Sequence, residues 1–192
     1  VFSRHRAIEV SAARVTLALV LVAALVVTRG SDRVYTDGPL GEYHGEPHVA
    51  ICVPHTDEKT TISANNGPLI HLGEVPLTIT GVSAVGARGF RMIDAVLVPT
   101  NGTVNGAEFP PEPERAGPTW EERVPADGAT VEPKETWWFV VDLRAEDGHA
   151  EVERFRVDYR DDAGAEYGFL TGTSYFYLPD CDDSWPEWRG ER

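Results

Sequence analysis

Between Val152 and Tyr159 the chain alternates strictly. Phe155, Val157 and Tyr159 fall on one side of an extended backbone, and Arg154, Arg156 and Asp158 on the other. That period of two belongs to a strand with one buried and one wet face. The same pattern recurs. Trp137, Phe139, Val141 and Leu143 alternate with Trp138, Val140 and Asp142, and Leu77 and Ile79 alternate with Thr78 and Thr80. Further runs cover His48–Val53, Lys59–Ala64 and Tyr167–Leu178, while Phe90–Val98 is apolar enough for a strand buried on both faces. Turn residues separate the runs: Asn65-Asn-Gly-Pro68, Glu146-Asp-Gly-His149 and Asp161-Asp-Ala-Gly164. Seven or eight short strands at this spacing predict a mainly β domain, an antiparallel β-sandwich over residues 48–181. One stretch breaks the rhythm. Residues 99–131 hold Asn101-Gly, Asn105-Gly and prolines 110, 111, 113, 118 and 125, too long for a bare connection in a compact domain.

Ahead of the domain stand 14 residues without a charge, Val15 to Thr28, flanked by Arg14 and Arg29. As a helix they span about 21 Å, short of a bilayer core of ~30 Å unless the flanking arginines reach to the two interfaces. Arg4, Arg6 and Arg14 against Glu9 leave residues 1–14 basic, which places them on the cytoplasmic side and everything after the apolar run outside. The expectation is one N-terminal transmembrane helix over 15–28, acting as an uncleaved signal-anchor. The alternative is a signal peptide cut after Gly30, which would release a secreted domain. No cysteine follows closely enough for lipid attachment. Residues 29–47, rich in Gly, Pro and charge, read as a tether, and 182–192 as a C-terminal tail.

An address outside the cytoplasm gives meaning to the two cysteines. Cys52 and Cys181 bracket almost the whole domain and are predicted to form a disulfide. Closing a loop that long stabilises by roughly 4–5 kcal/mol on the chain-entropy model. Charge narrows the partners. Residues 1–33 balance to +3, so the rest of a chain of net charge −14 carries −17. Such a domain repels nucleic acid, which leaves a protein or cell-wall partner and the membrane through residues 15–28.

The stretch Ile62-Ser-Ala-Asn-Asn-Gly-Pro68, followed by Pro76-Leu-Thr-Ile-Thr-Gly-Val82, resembles immunoglobulin-like bacterial domains, in which an Asn-x-Gly turn leads into a Pro-Leu/Val-Thr-Ile/Val strand. The chain as a whole is similar to the small membrane-anchored ectodomain proteins of high-GC Gram-positive bacteria. Only two of its basic residues, Lys59 and Lys134, are lysines. The resemblance implies an immunoglobulin-like sandwich and an extracytoplasmic address, and carries no activity with it.

Chemistry-bearing patterns are thin. His44, His48, Cys52 and His55 lie within 12 residues, but Gly45 and Pro47 interrupt any shared helical face. Two acidic sets, Asp180, Asp182 and Asp183, and Asp161, Asp162 and Glu166, have the oxygen ligands of a calcium site without its glycine-spaced loop. There is no Gly-x-Ser-x-Gly elbow and no glycine-rich phosphate loop. The aromatic residues point elsewhere. Trp137 and Trp138 must face opposite sides of one strand, and Phe109 and Trp120 sit in the long 99–131 connection. Phe109, Trp120 and Trp138 are therefore the candidate partner surface, with no cofactor and no metal called for. These features predict a non-catalytic, membrane-tethered binding or accessory module. The alternative is a secreted or cell-surface hydrolase or metal-dependent enzyme built on the histidine or acidic sets.

Overall fold

The computed structural model describes residues 38–42, 49–55, 60–100, 119–146 and 148–181. The basic N-terminus, the apolar run 15–28, most of the tether, Phe109 and the tail 182–192 lie outside them. Among the described residues no helix is long and apolar enough to cross a membrane.

The described domain is mainly β. Its strands are β1 (Leu40–Glu42), β2 (Val49–Pro54), β3 (Thr61–His71), β4 (Leu77–Val85), β5 (Phe90–Pro99), β6 (Val124–Pro125), β7 (Thr130–Val131), β8 (Thr136–Ala145), β9 (Ala150–Val152), β10 (Arg154–Asp161), β11 (Glu166–Leu170) and β12 (Thr173–Leu178). They form a five-stranded sheet in the order β1-β3-β8-β5-β6, a four-stranded sheet β11-β10-β4-β7 and a three-stranded sheet β2-β12-β9. All pairings are antiparallel except β2 with β12, which run parallel from Val49↔Thr173 to Pro54↔Leu178.

The two smaller sheets share long, broken strands. β9 and β10 are separated only by Glu153, and β11 and β12 only by Thr171 and Gly172. Each pair reads as one arm of a hairpin that passes from one sheet to the next. Thr171 pins the break: its hydroxyl accepts from the Phe155 amide at 3.0 Å, and its own amide donates to the Phe155 carbonyl at 2.9 Å. Opposite lies the five-stranded sheet. From it Ile62, Ala64, Leu97, Phe139, Val141 and Leu143 meet Leu77, Ile79, Phe155, Val157, Tyr159, Tyr175 and Tyr177 in one buried cluster. Each valine, leucine, isoleucine or phenylalanine among them, removed from water, contributes about 1.5–3 kcal/mol. Two faces closing on one core are consistent with a β-sandwich.

Two of the three turn signals resolve differently from the sequence expectation, and the third as expected. Asn65-Asn-Gly-Pro68 does not end a strand; it is a β-bulge inside β3, with the register against β8 shifting between Asn65 and Pro68. Gly67 takes φ +83° and donates its amide to Asn65 Oδ1 at 3.1 Å, so the left-handed residue that could close a hairpin here makes a kink. Likewise β8 and β9, which flank the Asp-Gly step at 147–148 in sequence, belong to different sheets and do not pair with each other. The Asp161–Gly164 turn does close a hairpin, between β10 and β11. Gly164 lies at φ +84°, and Asp161 Oδ1 accepts from the Ala165 amide at 2.9 Å.

The long connection is also shorter than expected. Residues 119–131 belong to the fold: a 3-10 turn at Trp120–Glu122, then β6 and β7, with Ala126 and Val131 completely buried in the core. Prolines at 118 and 125 obscured this, because a two-residue edge strand tolerates a proline that a central strand would not.

Candidate functional site

The disulfide comes first because it fixes the geometry of one end. Cys52 lies in β2, directly across from Phe176 in β12, and bonds to Cys181 with the two Cα atoms 5.8 Å apart. Ile51 and Val53 pack toward the core, so the bridge lies on the opposite face of β2. The covalent link therefore clamps an early strand to the chain just beyond the last one, across 129 residues of sequence.

With Cys52 oxidised, no thiolate remains in the histidine-rich stretch. His55 stands edge-on to Tyr177, ring centroids 5.1 Å apart, and His44 and His48 lie outside the described residues. In the acidic turn, Asp161 spends both oxygens locally, on the Ala165 amide and on the Tyr167 hydroxyl at 3.2 Å. That hydrogen bond raises the Tyr167 pKa above its ordinary value. Among the described residues no three His, Cys, Asp or Glu side chains gather as metal ligands. The buried histidine, His71, is structural: its Nδ1 accepts from the Gly73 amide at 2.9 Å, and its Nε2 lies 2.7 Å from the Val75 carbonyl.

The tryptophan pair on β8 divides as alternation requires. Trp137 packs against the principal core and donates its indole N–H to Glu135 at 3.0 Å. Trp138 faces the other way and joins a second cluster on the outer face of the five-stranded sheet, formed by Val96, Val98, Val140 and Trp120. Trp120 is only 5% exposed. The Arg123 guanidinium stands 4.8 Å from its ring centroid and donates to its backbone carbonyl at 3.0 Å. Two of the three predicted surface aromatics thus meet. They meet as a small packed layer, with Trp120 covering the valines, and Phe109 falls outside the described residues.

This layer also holds the two ends of the undescribed stretch 101–118. Thr100 donates its hydroxyl to the Thr136 carbonyl at 3.1 Å, and Thr119 donates to the Pro99 carbonyl at 3.4 Å. Thr100 and Thr119 are thus both held close to Pro99, and Thr119 is next in sequence to Trp120.

Farther along the same outer face is a feature that reading the sequence missed. Asp142 is 6% exposed, and its Oδ1 is buried without a hydrogen-bond partner among the described residues. Across one strand boundary it faces Ser63, and across the other, Asp94. Burial pushes its carboxyl up to about 6; Arg144 pulls it down and Asp94 pushes it further up. Alternation on β8 already placed Asp142 on the Trp138 face. Its meeting with Asp94 depends on a bulge between Met92 and Asp94, where one extra residue keeps both Met92 and Ala95 toward the core. Nothing local announces that bulge.

No protein-family model, curated protein or solved structure matches this chain.

Proposed function

We propose that this chain is a membrane-tethered, extracytoplasmic binding or accessory module without catalytic chemistry. Residues 15–28 form a transmembrane signal-anchor, and an immunoglobulin-like β-sandwich stands outside the membrane. The carrying observation is the Cys52–Cys181 disulfide, because such bridges persist in oxidising compartments and are rare in the cytosol. The apolar run and the basic residues before it supply a route there. The partner-binding element is the stretch 101–118, with Phe109, whose two ends are held together beside Trp120 and Trp138. Binding segments are commonly carried this way, on connections positioned by a rigid sheet.

The test is topology in intact cells. External protease on protoplasts should remove the domain and spare the N-terminus, and a thiol reagent applied without reductant should label neither cysteine. Full protection of the chain, or labelling of both cysteines in the folded protein, would refute the assignment.

A further inference from the structure

The outer face of the five-stranded sheet carries apolar side chains at one end and carboxyl groups at the other. From Trp138 and Val140 the β8 side chains on this face continue to Asp142 and Arg144, and from Val98 and Val96 those of β5 continue to Asp94. Asp94 and Asp142 are cross-strand partners. Directly opposed residues of an antiparallel pair have Cβ atoms about 4.5–5.5 Å apart, where like charges destabilise. Asp94 is exposed, and its Oδ1 accepts from the Ala95 amide at 2.8 Å. Asp142 is buried and has an oxygen with no hydrogen-bond partner among the described residues. A carboxylate so placed bears the cost of desolvation and of its neighbour's charge together, and a proton relieves both.

We propose that Asp142 and Asp94 form a proton-binding pair that makes this face of the domain respond to pH, the pH being that outside the cell where the extracytoplasmic reading above holds. In the protonated state Asp142 is a neutral acid able to donate toward Asp94 or the Ser63 hydroxyl. In the ionised state two carboxylates oppose each other at the bulge that joins β5 to β8.

The other charges around the pair do not cancel it. Arg144 lies two residues along on the same face and is exposed; across from it stand Thr61 on β3 and Arg91 on β5. Arg91 is also 3.8 Å from Glu146. The turn that covers Val96 and Val140 brings Glu121, Glu122 and Arg123, and there Arg123 and Glu121 lie 3.7 Å apart. Burial is the largest influence on Asp142, ahead of Arg144 and Asp94. Its carboxyl, ordinarily at 3.8, is displaced to about 6, which is roughly a hundredfold tighter proton binding in the folded chain.

The sign follows from linkage. The folded form holds this proton more tightly than the unfolded form, so the associated stability is complete below about pH 4 and is lost as pH rises through about 6. Most buried carboxylates that are salt-bridged show the reverse.

The experiment uses the full chain in detergent, labelled with carbon-13 at the aspartate carboxyls, as wild type, D142N and D94N. One resonance should titrate near pH 6, vanish in D142N and move to lower pH in D94N. The melting temperature of wild type relative to D142N should fall between pH 4.5 and 7.5. The proposal is overturned if Asp142 titrates at the ordinary carboxylate position. It is also overturned if the difference from D142N is flat with pH, or if D94N leaves the midpoint unmoved. Calcium chloride at pH 7.5 should not distinguish wild type from D142N; a selective rise in wild type would make this a cation site and refute the proton pair. Because Asp94 is exposed, D94N keeps the test decisive if D142N folds poorly.

Discussion

The two faces of β8 make an instructive contrast. Inward, Phe139, Val141, Leu143 and Ala145 are all apolar, all buried, and all part of one cluster. Outward, the same strand shows Trp138, Val140, Asp142 and Arg144, passing from aromatic to charged within seven residues. The inner face is completed by the opposing sheets. Among the described residues the outer face is covered by Trp120 over its valines, and then carries a buried acid. A sequence that specifies one fold satisfies its local rules almost everywhere and breaks them where something besides stability is selected. On that view the inner face holds the molecule together, and the outer face is the place proposed for response and binding.

The contrast can be broken by substitution, and the largest effect belongs to the inner face. Phe139→Ala leaves a cavity opposite Phe155, whose ring centroid is 6.4 Å away, and should cost about 3–5 kcal/mol in denaturant unfolding. Cys52→Ser should cost about 2–5 kcal/mol, since it releases β2 from the chain just beyond β12. Trp120→Ala strips a smaller cluster and should cost about 3 kcal/mol, the low end of the range for such truncations and less than Phe139→Ala. If it cost more, the outer layer would be core in its own right and the contrast would fail.

D142N should run the other way. At pH 7.5 it should stabilise by about 1–2 kcal/mol, and below pH 4 the gain should disappear. Thermal melts at the two pH values check it. Smallest of all should be the replacement of 101–118 by a short Gly-Ser turn. Loop length enters stability only logarithmically, so the midpoint should move by no more than about a kcal/mol equivalent. The pinned Thr100 and Thr119 should keep Trp120 in place.

How much of this was readable beforehand varies with range. The alternation of β8 and β10 correctly assigned their faces, because a period of two is a local property of the backbone. The Cys52–Cys181 pair was readable because only one pairing of two cysteines exists. Asn65–Pro68 misled for a physical reason: an Asn-Gly step supplies the same left-handed residue to a bulge as to a hairpin, and only the β8 partner decides between them. Trp120 misled because its proline-rich surroundings suggested exposure, whereas the ring covers Val96 and Val98 from a single turn of 3-10 helix. The Asp94–Asp142 meeting was out of reach, since it follows from register between residues 48 positions apart in sequence.

The central claim, that binding belongs to the outer face of the five-stranded sheet and the connection attached to it, has one direct test. A photo-crosslinking residue is placed either at Phe109 or at Asp162, which is exposed at the tip of the β10–β11 hairpin in the opposing layer. Intact cells are then irradiated. The account predicts a discrete crosslinked product from position 109 and none from 162. A product from 162 alone, or equal products from both, would contradict it.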